Sequence, residues 1–224
     1  MKLLTAAPNL TVLCCPLCHR AYKPCTLDVP LMPKLRSVSM ASIYLQEFLP
    51  NDESVNHFPA LRQLITCDAV APPPTSSYKW ERFMHQSCAN ITSVHTDCPE
   101  IGVQDWFQLN MDCLTEFFPS LNDLVFFLPQ WNSIIPHITL PPSVSYLGLH
   151  FEYYNPPVTH FQHLFIALRT MVGSKLKAVR LLNADIVEDL RENHESFLAS
   201  ELAEIVSCIT FCIEDHEGHP LLAK

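Results

Sequence analysis

Pro59-Ala60-Leu61-Arg62-Gln63-Leu64 and Pro119-Ser120-Leu121-Asn122-Asp123-Leu124 are one phrase written twice: a turn residue, an apolar residue, two spacers and a second apolar residue. Upstream it reads Pro8-Asn9-Leu10-Thr11-Val12-Leu13 and Pro33-Lys34-Leu35-Arg36-Ser37-Val38. Between and beyond come Ile91 with Val94, Pro142-Ser143-Val144-Ser145-Tyr146-Leu147, Ser174-Lys175-Leu176-Lys177-Ala178-Val179, and a faded copy at Ile209 and Cys212. The interval drifts between roughly 23 and 33 residues, the scale on which stacked structural repeats recur. One supersecondary unit cannot bury its apolar side alone, so copies stack on their neighbours. Many of the phrases follow a proline, which fixes φ and biases the preceding residue away from helix, ending one element before the next begins.

Between the phrases the apolar period changes to that of a helix. Residues 78–88 set Trp80, Phe83 and Met84 on one side, and 105–117 align Trp106, Leu109, Met111, Leu114 and Phe117. Residues 159–172 carry Phe161, Leu164, Phe165, Leu168 and Met171, with Gly173 as the expected stop. The run 185–206 opens with Asp185 as N-cap and Glu188 as its N3 partner, and should break near 194–197 into two helices. A short strand followed by a helix, repeated, predicts an α/β fold: a leucine-rich-repeat-like solenoid with short parallel strands in a curved sheet and helices on the outer side. It should form a single irregular domain over 1–224, in about seven or eight units. The phrases at Leu10, Leu35, Leu61, Ile91, Leu121, Val144 and Leu176 should each be a strand, paired in parallel with the next. The Ala71-Pro72-Pro73-Pro74-Thr75-Ser76-Ser77 stretch reads as an exposed spacer between units.

Composition narrows the function classes. Hydrophobic residues make up 48% and charged residues 17% of the chain, so much of it is interior. The formal charge of −9 offers nothing to neutralise phosphates, which argues against nucleic acid as a partner. The four glycines, Gly102, Gly148, Gly173 and Gly218, are too far apart for a phosphate-cradling loop. Met1 to Thr5 is too short an apolar run for a signal peptide, and no stretch reaches the ~20 apolar residues of a membrane span. The expected location is cytosol or nucleus, where the ten cysteines default to free thiols and the triplets Asn9-Leu10-Thr11 and Asn90-Ile91-Thr92 go unglycosylated.

Catalytic and metal constellations fail on spacing. Cys15, Cys18, His19 and Cys25 could supply four ligands to zinc, but no second Cys-x-x-Cys knuckle follows. The repeat phase accounts for Leu10, Leu13, Cys15 and Cys18 as inward positions, so structural thiols are the favoured reading. His194-Glu195 and His216-Glu217 begin like a metalloprotease helix, yet Leu198 and Pro220 occupy the place of the second histidine. Asp185, Glu188, Asp189 and Glu192 share a helix face that reads as solvated. No cofactor is expected.

The spaced phrases resemble the leucine-rich-repeat-like part of fungal F-box proteins, most closely in Leu176-Lys177-Ala178-Val179-Arg180-Leu181-Leu182-Asn183, Asp185-Ile186-Val187-Glu188-Asp189-Leu190 and Glu214-Asp215-His216-Glu217-Gly218-His219-Pro220-Leu221. The resemblance spans most of the chain and rests on pattern. It implies an adaptor: an F-box docks on a cullin–RING ubiquitin ligase while the repeats receive a client protein. No F-box-like helical segment precedes Leu10, so ligase components enter as partners only if an F-box is supplied elsewhere. The sequence also departs from the strict repeat consensus, in which asparagine or cysteine follows the last strand leucine. Cys18 fits, but Ala69, Pro99, Pro129 and Ala184 stand at that place later, which predicts an irregular stack.

Strand side chains alternate between faces, so residues between the buried ones should form an open face. It would carry Gln63, Ile65, Ser93, His95, Asp97, Asp123, Val125 and Phe127, then Tyr146, His150 and Arg180. Phe127, Tyr146, His150 and Arg180 are the candidate protein-binding residues, since exposed aromatics and arginine are the types enriched at interface hot spots. The alternative is that a loop or terminal helix covers Phe127 and Ile65. The reading is a non-enzymatic protein-interaction module, with a small cysteine- or zinc-dependent α/β enzyme and a degenerate truncated copy without activity as competitors.

Overall fold

The computed structural model describes residues 7–14, 29–40, 55–66, 78–97, 104–128, 137–151 and 157–221. Each phrase opens on the same turn, in which the N–H of the first apolar residue donates to the carbonyl three residues back. Leu10 reaches Ala7 at 3.1 Å, Leu35 Met32 at 3.2 Å, Leu61 Phe58 at 3.1 Å and Ile91 Cys88 at 3.0 Å. Leu121 reaches Phe118 at 3.0 Å, Val144 Pro141 at 3.0 Å and Leu176 Gly173 at 3.3 Å. Pro8, Pro33, Pro59, Pro119 and Pro142 take the second place of their turns, where a fixed φ near −65° is already correct.

The turn aims the chain into a strand two residues later. The strands are β1 (Val12–Cys14), β2 (Ser37–Ser39), β3 (Gln63–Ile65), β4 (Ser93–Asp97), β5 (Asp123–Leu128), β6 (Tyr146–Phe151), β7 (Ala178–Leu181) and β8 (Cys212–Glu214). They form one eight-stranded sheet in the order of the sequence, every neighbouring pair parallel. The entry to each strand is locked to the unit before it. Thus Arg62 and Gln63 both donate to Arg36 O, Asn122 and Asp123 to Thr92 O, and Ser145 and Tyr146 to Asn122 O.

The register puts equivalent residues side by side. Leu13, Val38, Leu64, Val94, Leu124, Leu147, Val179 and Ile213 form one column, and from Val38 onwards every member is buried. Its companion at the turn is Leu35, Leu61, Ile91, Leu121, Val144 and Leu176, also buried. These columns join the helices in one apolar core: α1 (Tyr78–Ser87), α2 (Gln104–Phe117), α3 (Val158–Thr170), α4 (Ala184–Asn193) and α5 (Glu195–Val206). A single 3-10 turn, Cys88–Asn90, follows α1. Phe161, Leu164, Phe165, Leu168 and Met171 are buried from α3, Ile186, Val187 and Leu190 from α4, and Leu198, Leu202 and Ile205 from α5. Phe165 meets Phe197 edge to face at 6.0 Å between centroids, a preferred aromatic geometry. Arg169 of α3 ties down α5 through Glu201 at 2.6 Å and Glu204 at 2.7 Å.

Several expectations need correction. The last phrase is not Ile209 with Cys212: Val179 pairs with Ile213, and Cys212 faces solvent. There the buried residues are Phe211 and Ile213, two apart instead of three, because exposed Thr210 occupies the place that Leu176 holds in the unit before. Leu109 is exposed while Asn110 and Cys113 of the same helix are buried, which turns the inward stripe of α2 away from Leu109. The long acidic run does break into two helices at His194, but it starts at Ala184 with Asn183 as N-cap residue and no side-chain cap. The Asp185–Glu188 capping pair is therefore not used. Helix α3 ends at Thr170, so Gly173 opens the next turn and does not stop the helix. After β7 the residue that ties back to the preceding strand is one position earlier than Ala184. Asn183, not Ala184, accepts from Phe151 N through Oδ1 at 2.8 Å and donates from Nδ2 to Phe151 O at 3.0 Å. Cys15, Cys18, His19, Cys25, Ala69, Pro99, Pro129 and the 71–77 stretch lie outside the described residues.

Beyond β8 the chain turns back on itself. Gly218 takes a positive φ of 89°, a conformation that favours glycine, and Leu221 N donates to Ile213 O at 2.9 Å. An antiparallel bridge between Glu214 and Pro220 results, so this edge of the sheet is occupied by its own chain. No helix among the described residues is long and apolar enough to cross a membrane.

Candidate functional site

The face of the sheet opposite the core is built from the alternate columns. One runs Val12, Ser37, Gln63, Ser93, Asp123, Tyr146, Ala178, Cys212, and the next Cys14, Ser39, Ile65, His95, Val125, Gly148, Arg180, Glu214. A shorter third column holds Asp97, Phe127 and His150. All four candidate binding residues stand on this face. Tyr146 is exposed, at 39%, and Phe127, His150 and Arg180 are half-buried among their sheet neighbours, as is Ile65.

The four fall into two groups. Phe127 and His150 meet edge to face at 5.4 Å, and His95 adds a tilted contact to Phe127 at 6.3 Å. A polar ladder feeds into this aromatic row: Ser37 Oγ donates to Gln63 Oε1 at 2.8 Å, and Gln63 Nε2 reaches His95 Nε2 at 3.4 Å. Burial pushes the His95 pKa down, against the pull of the Asp123 carboxylate, so the ring is neutral at physiological pH and its Nε2 accepts. His150 Nδ1 is enclosed without a hydrogen-bond partner among the described residues.

Tyr146 and Arg180 belong to the second group, a depression of about 330 Å³ lined by Asp123, Leu124, Val125, Tyr146, Leu147, Gly148, Ala178, Arg180 and Leu182. Its origin is the small residues at its floor. Gly148 lies between Val125 and Arg180 in its column, and Ala178 beside Tyr146 in the other, so two neighbouring strands lack large side chains at one spot. A Cβ on Gly148 would come within 2.9 Å of both Leu182 Cδ1 and Val125 Cγ2. Glycine inside a strand commonly marks a place where something else approaches the backbone.

Arg180 is held, not free. Its Nε and Nη2 both donate to Glu214 Oε2, at 3.2 and 2.8 Å. Behind it lies Gly218, where even a Cβ would stand 2.8 Å from Arg180 Nη2. Across the depression Asp123 Oδ2 accepts from Asn122 Nδ2 at 2.9 Å. Sequence reasoning reached Asp123, Val125, Tyr146 and Arg180 through strand alternation, and missed Gly148, Ala178, Leu182 and Glu214. A glycine inside Tyr146-Leu147-Gly148-Leu149 was the available signal for the floor; nothing in the sequence pairs Glu214 with Arg180.

The remaining candidates are dispersed. His216 and His219 are exposed in the last turn, and His194 is half-buried between α4 and α5, 5.9 Å from the Phe161 ring. Asp185, Glu188 and Glu192 are exposed. Among the described residues no group of three or more His, Cys, Asp or Glu side chains is placed to hold a metal ion. Cys88 and Cys113 are buried, and burial raises both thiol pKa values, that of Cys113 to about 12 with a further push from Glu116. Such thiols are poor nucleophiles. Comparison with protein-family models, with curated proteins and with solved structures finds no match for this chain.

Proposed function

We propose that this chain is a non-enzymatic protein-interaction module, a leucine-rich-repeat-like solenoid that receives a client protein on the open face of its sheet. The observation that carries the reading is the asymmetry of the sheet. One face is sealed into a continuous core, while the other presents aromatic and polar side chains in register with no helix of the described residues among them. Parallel strands connected by helices ordinarily have both faces covered. A sheet face that no described helix covers offers surface to a partner. Tyr146 and Arg180 would anchor the client at the depression, and Phe127 and His150 would extend the contact along the aromatic row. The resemblance to fungal F-box proteins makes the client a substrate for ubiquitination in the cytosol or nucleus, with an F-box supplied elsewhere.

The test is affinity capture from cells with Tyr146→Ala/Arg180→Ala and Phe127→Ala/His150→Ala variants, each verified as folded by circular dichroism. Loss of a specific partner is expected in both, since anchors of these types commonly contribute about 2 kcal/mol or more each. Alanine at the exposed Glu195, His216 and His219 should leave capture unchanged. A partner that survives the strand-face variants and is lost with the second set would move the binding surface to the C-terminal elements and overturn the reading.

A further inference from the structure

We propose that the depression over Gly148 is an arginine-side-chain pocket, taking the guanidinium of one client residue between Asp123 and Tyr146. This deepens the client-face reading and rests on it. The volume, about 330 Å³, suits one long side chain and not an element of secondary structure. Asp123 and Tyr146 are register partners on neighbouring strands, so their side chains leave the sheet about 5 Å apart on the same face. Only Asn122 bonds the Asp123 carboxylate among the described residues, and at Oδ2, which leaves Oδ1 to accept from a ligand. The exposed ring of Tyr146 offers a π face to a cation. Val125, Ala178 and Leu182 supply an apolar lining for the methylene stem.

Charge selects the sign of the occupant. The depression is bordered by one carboxylate, Asp123, and one guanidinium, Arg180. That guanidinium is already neutralised by two hydrogen bonds to Glu214 and backed by Gly218. Arg36, Arg62 and Lys177 stand one residue earlier, at the strand entries, exposed to solvent where their fields are screened. An anionic side chain would have to displace Glu214 from Arg180 before it gained a partner. A cationic one meets an open carboxylate and an aromatic wall, on a chain of net charge −9. The planar guanidinium fits both better than an ammonium does, because it stacks and donates in one plane.

The probe is N-acetyl-arginine N-methylamide, titrated into the full chain and followed through backbone amide shifts. Saturable shifts centred on Asp123, Tyr146, Gly148 and Ala178 are expected, with millimolar affinity. The citrulline analogue, neutral and of the same shape, should bind about tenfold more weakly. In Asp123→Asn the arginine compound should fall to the level of the citrulline compound, and added salt should weaken only the arginine compound. Equal binding of the two compounds by the wild type, or no saturable shift at all, overturns the proposal. So does binding of the glutamate analogue that Arg180→Gln abolishes, which would make this an anion site. The probe needs no client, so its failure leaves the wider interaction reading to stand or fall by capture.

Discussion

The Asp215 carboxylate is strongly perturbed, and the perturbation can be turned into a pH dependence. Its side chain is almost wholly buried, beyond β8 at the start of the terminal turn. Burial alone would raise its pKa. The backbone N–H of His219, at 2.9 Å, the Arg191 guanidinium, at 2.9 Å, and the backbone N–H of Glu217, at 3.0 Å, outweigh it and hold the carboxyl at about 2, against 3.8 for a free one. A carboxylate with a depressed folded-state pKa stabilises the fold above its unfolded pKa, and that stability is lost as the pH falls towards the folded value. Arg191 is nearly half exposed, so solvent screens part of its pull. The resulting contribution is about 1–2 kcal/mol at neutral pH, with roughly half of it gone by pH 3. Urea melts of the wild type and Asp215→Asn between pH 6 and pH 3 isolate this group from the other carboxylates. The asparagine keeps an oxygen for the two backbone N–H groups but turns an amide towards Arg191. The stability gap between the two proteins should narrow steadily as the pH drops. A gap of constant size across that range would show that packing, not the charge of Asp215, sets its role.

Leu64→Ala, Leu124→Ala and Leu147→Ala each empty a fully buried place in the inward column and should cost ~2–5 kcal/mol in urea melts, whereas Glu192→Ala should stay within about 0.5 kcal/mol. Asn183→Ala removes two side-chain hydrogen bonds to the Phe151 backbone; a loss of about 1–3 kcal/mol and faster hydrogen exchange at the Phe151 amide are expected. Iodoacetamide at mildly alkaline pH should label exposed Cys208 and Cys212 and spare Cys88 and Cys113, whose thiols burial holds protonated; peptide mass spectrometry with and without denaturant reads the difference.

What the sequence displayed is governed by the part of each unit that every other unit must match. A parallel sheet fixes the register of neighbouring strands, so the inward column has to be apolar at the same phase each time, and Leu61–Leu64 and Leu121–Leu124 announce it openly. The outward columns follow by alternation, which is why Phe127, Tyr146, His150 and Arg180 could be placed on one face from spacing alone. The same rule fails where a unit changes its internal spacing. In the last unit Phe211 and Ile213 carry the burial two residues apart, and a search for the three-residue phrase lands on exposed Cys212 instead. Helix phase is less constrained than strand register: Leu109 satisfied an apolar stripe on paper, but α2 is rotated to bury Asn110 and Cys113. Pairings between units were the least legible. Glu214 with Arg180, Asn183 with Phe151 and Arg169 with Glu201 join residues on separate units through intervening segments of uneven length. Only once the strands are in register does Arg180 face Glu214, and only then does Gly148 make room for the side chains of Val125 and Leu182. The candidate site is thus a product of register: Asp123, Val125, Tyr146 and Arg180 were written in the repeat, and the depression they line exists only between strands.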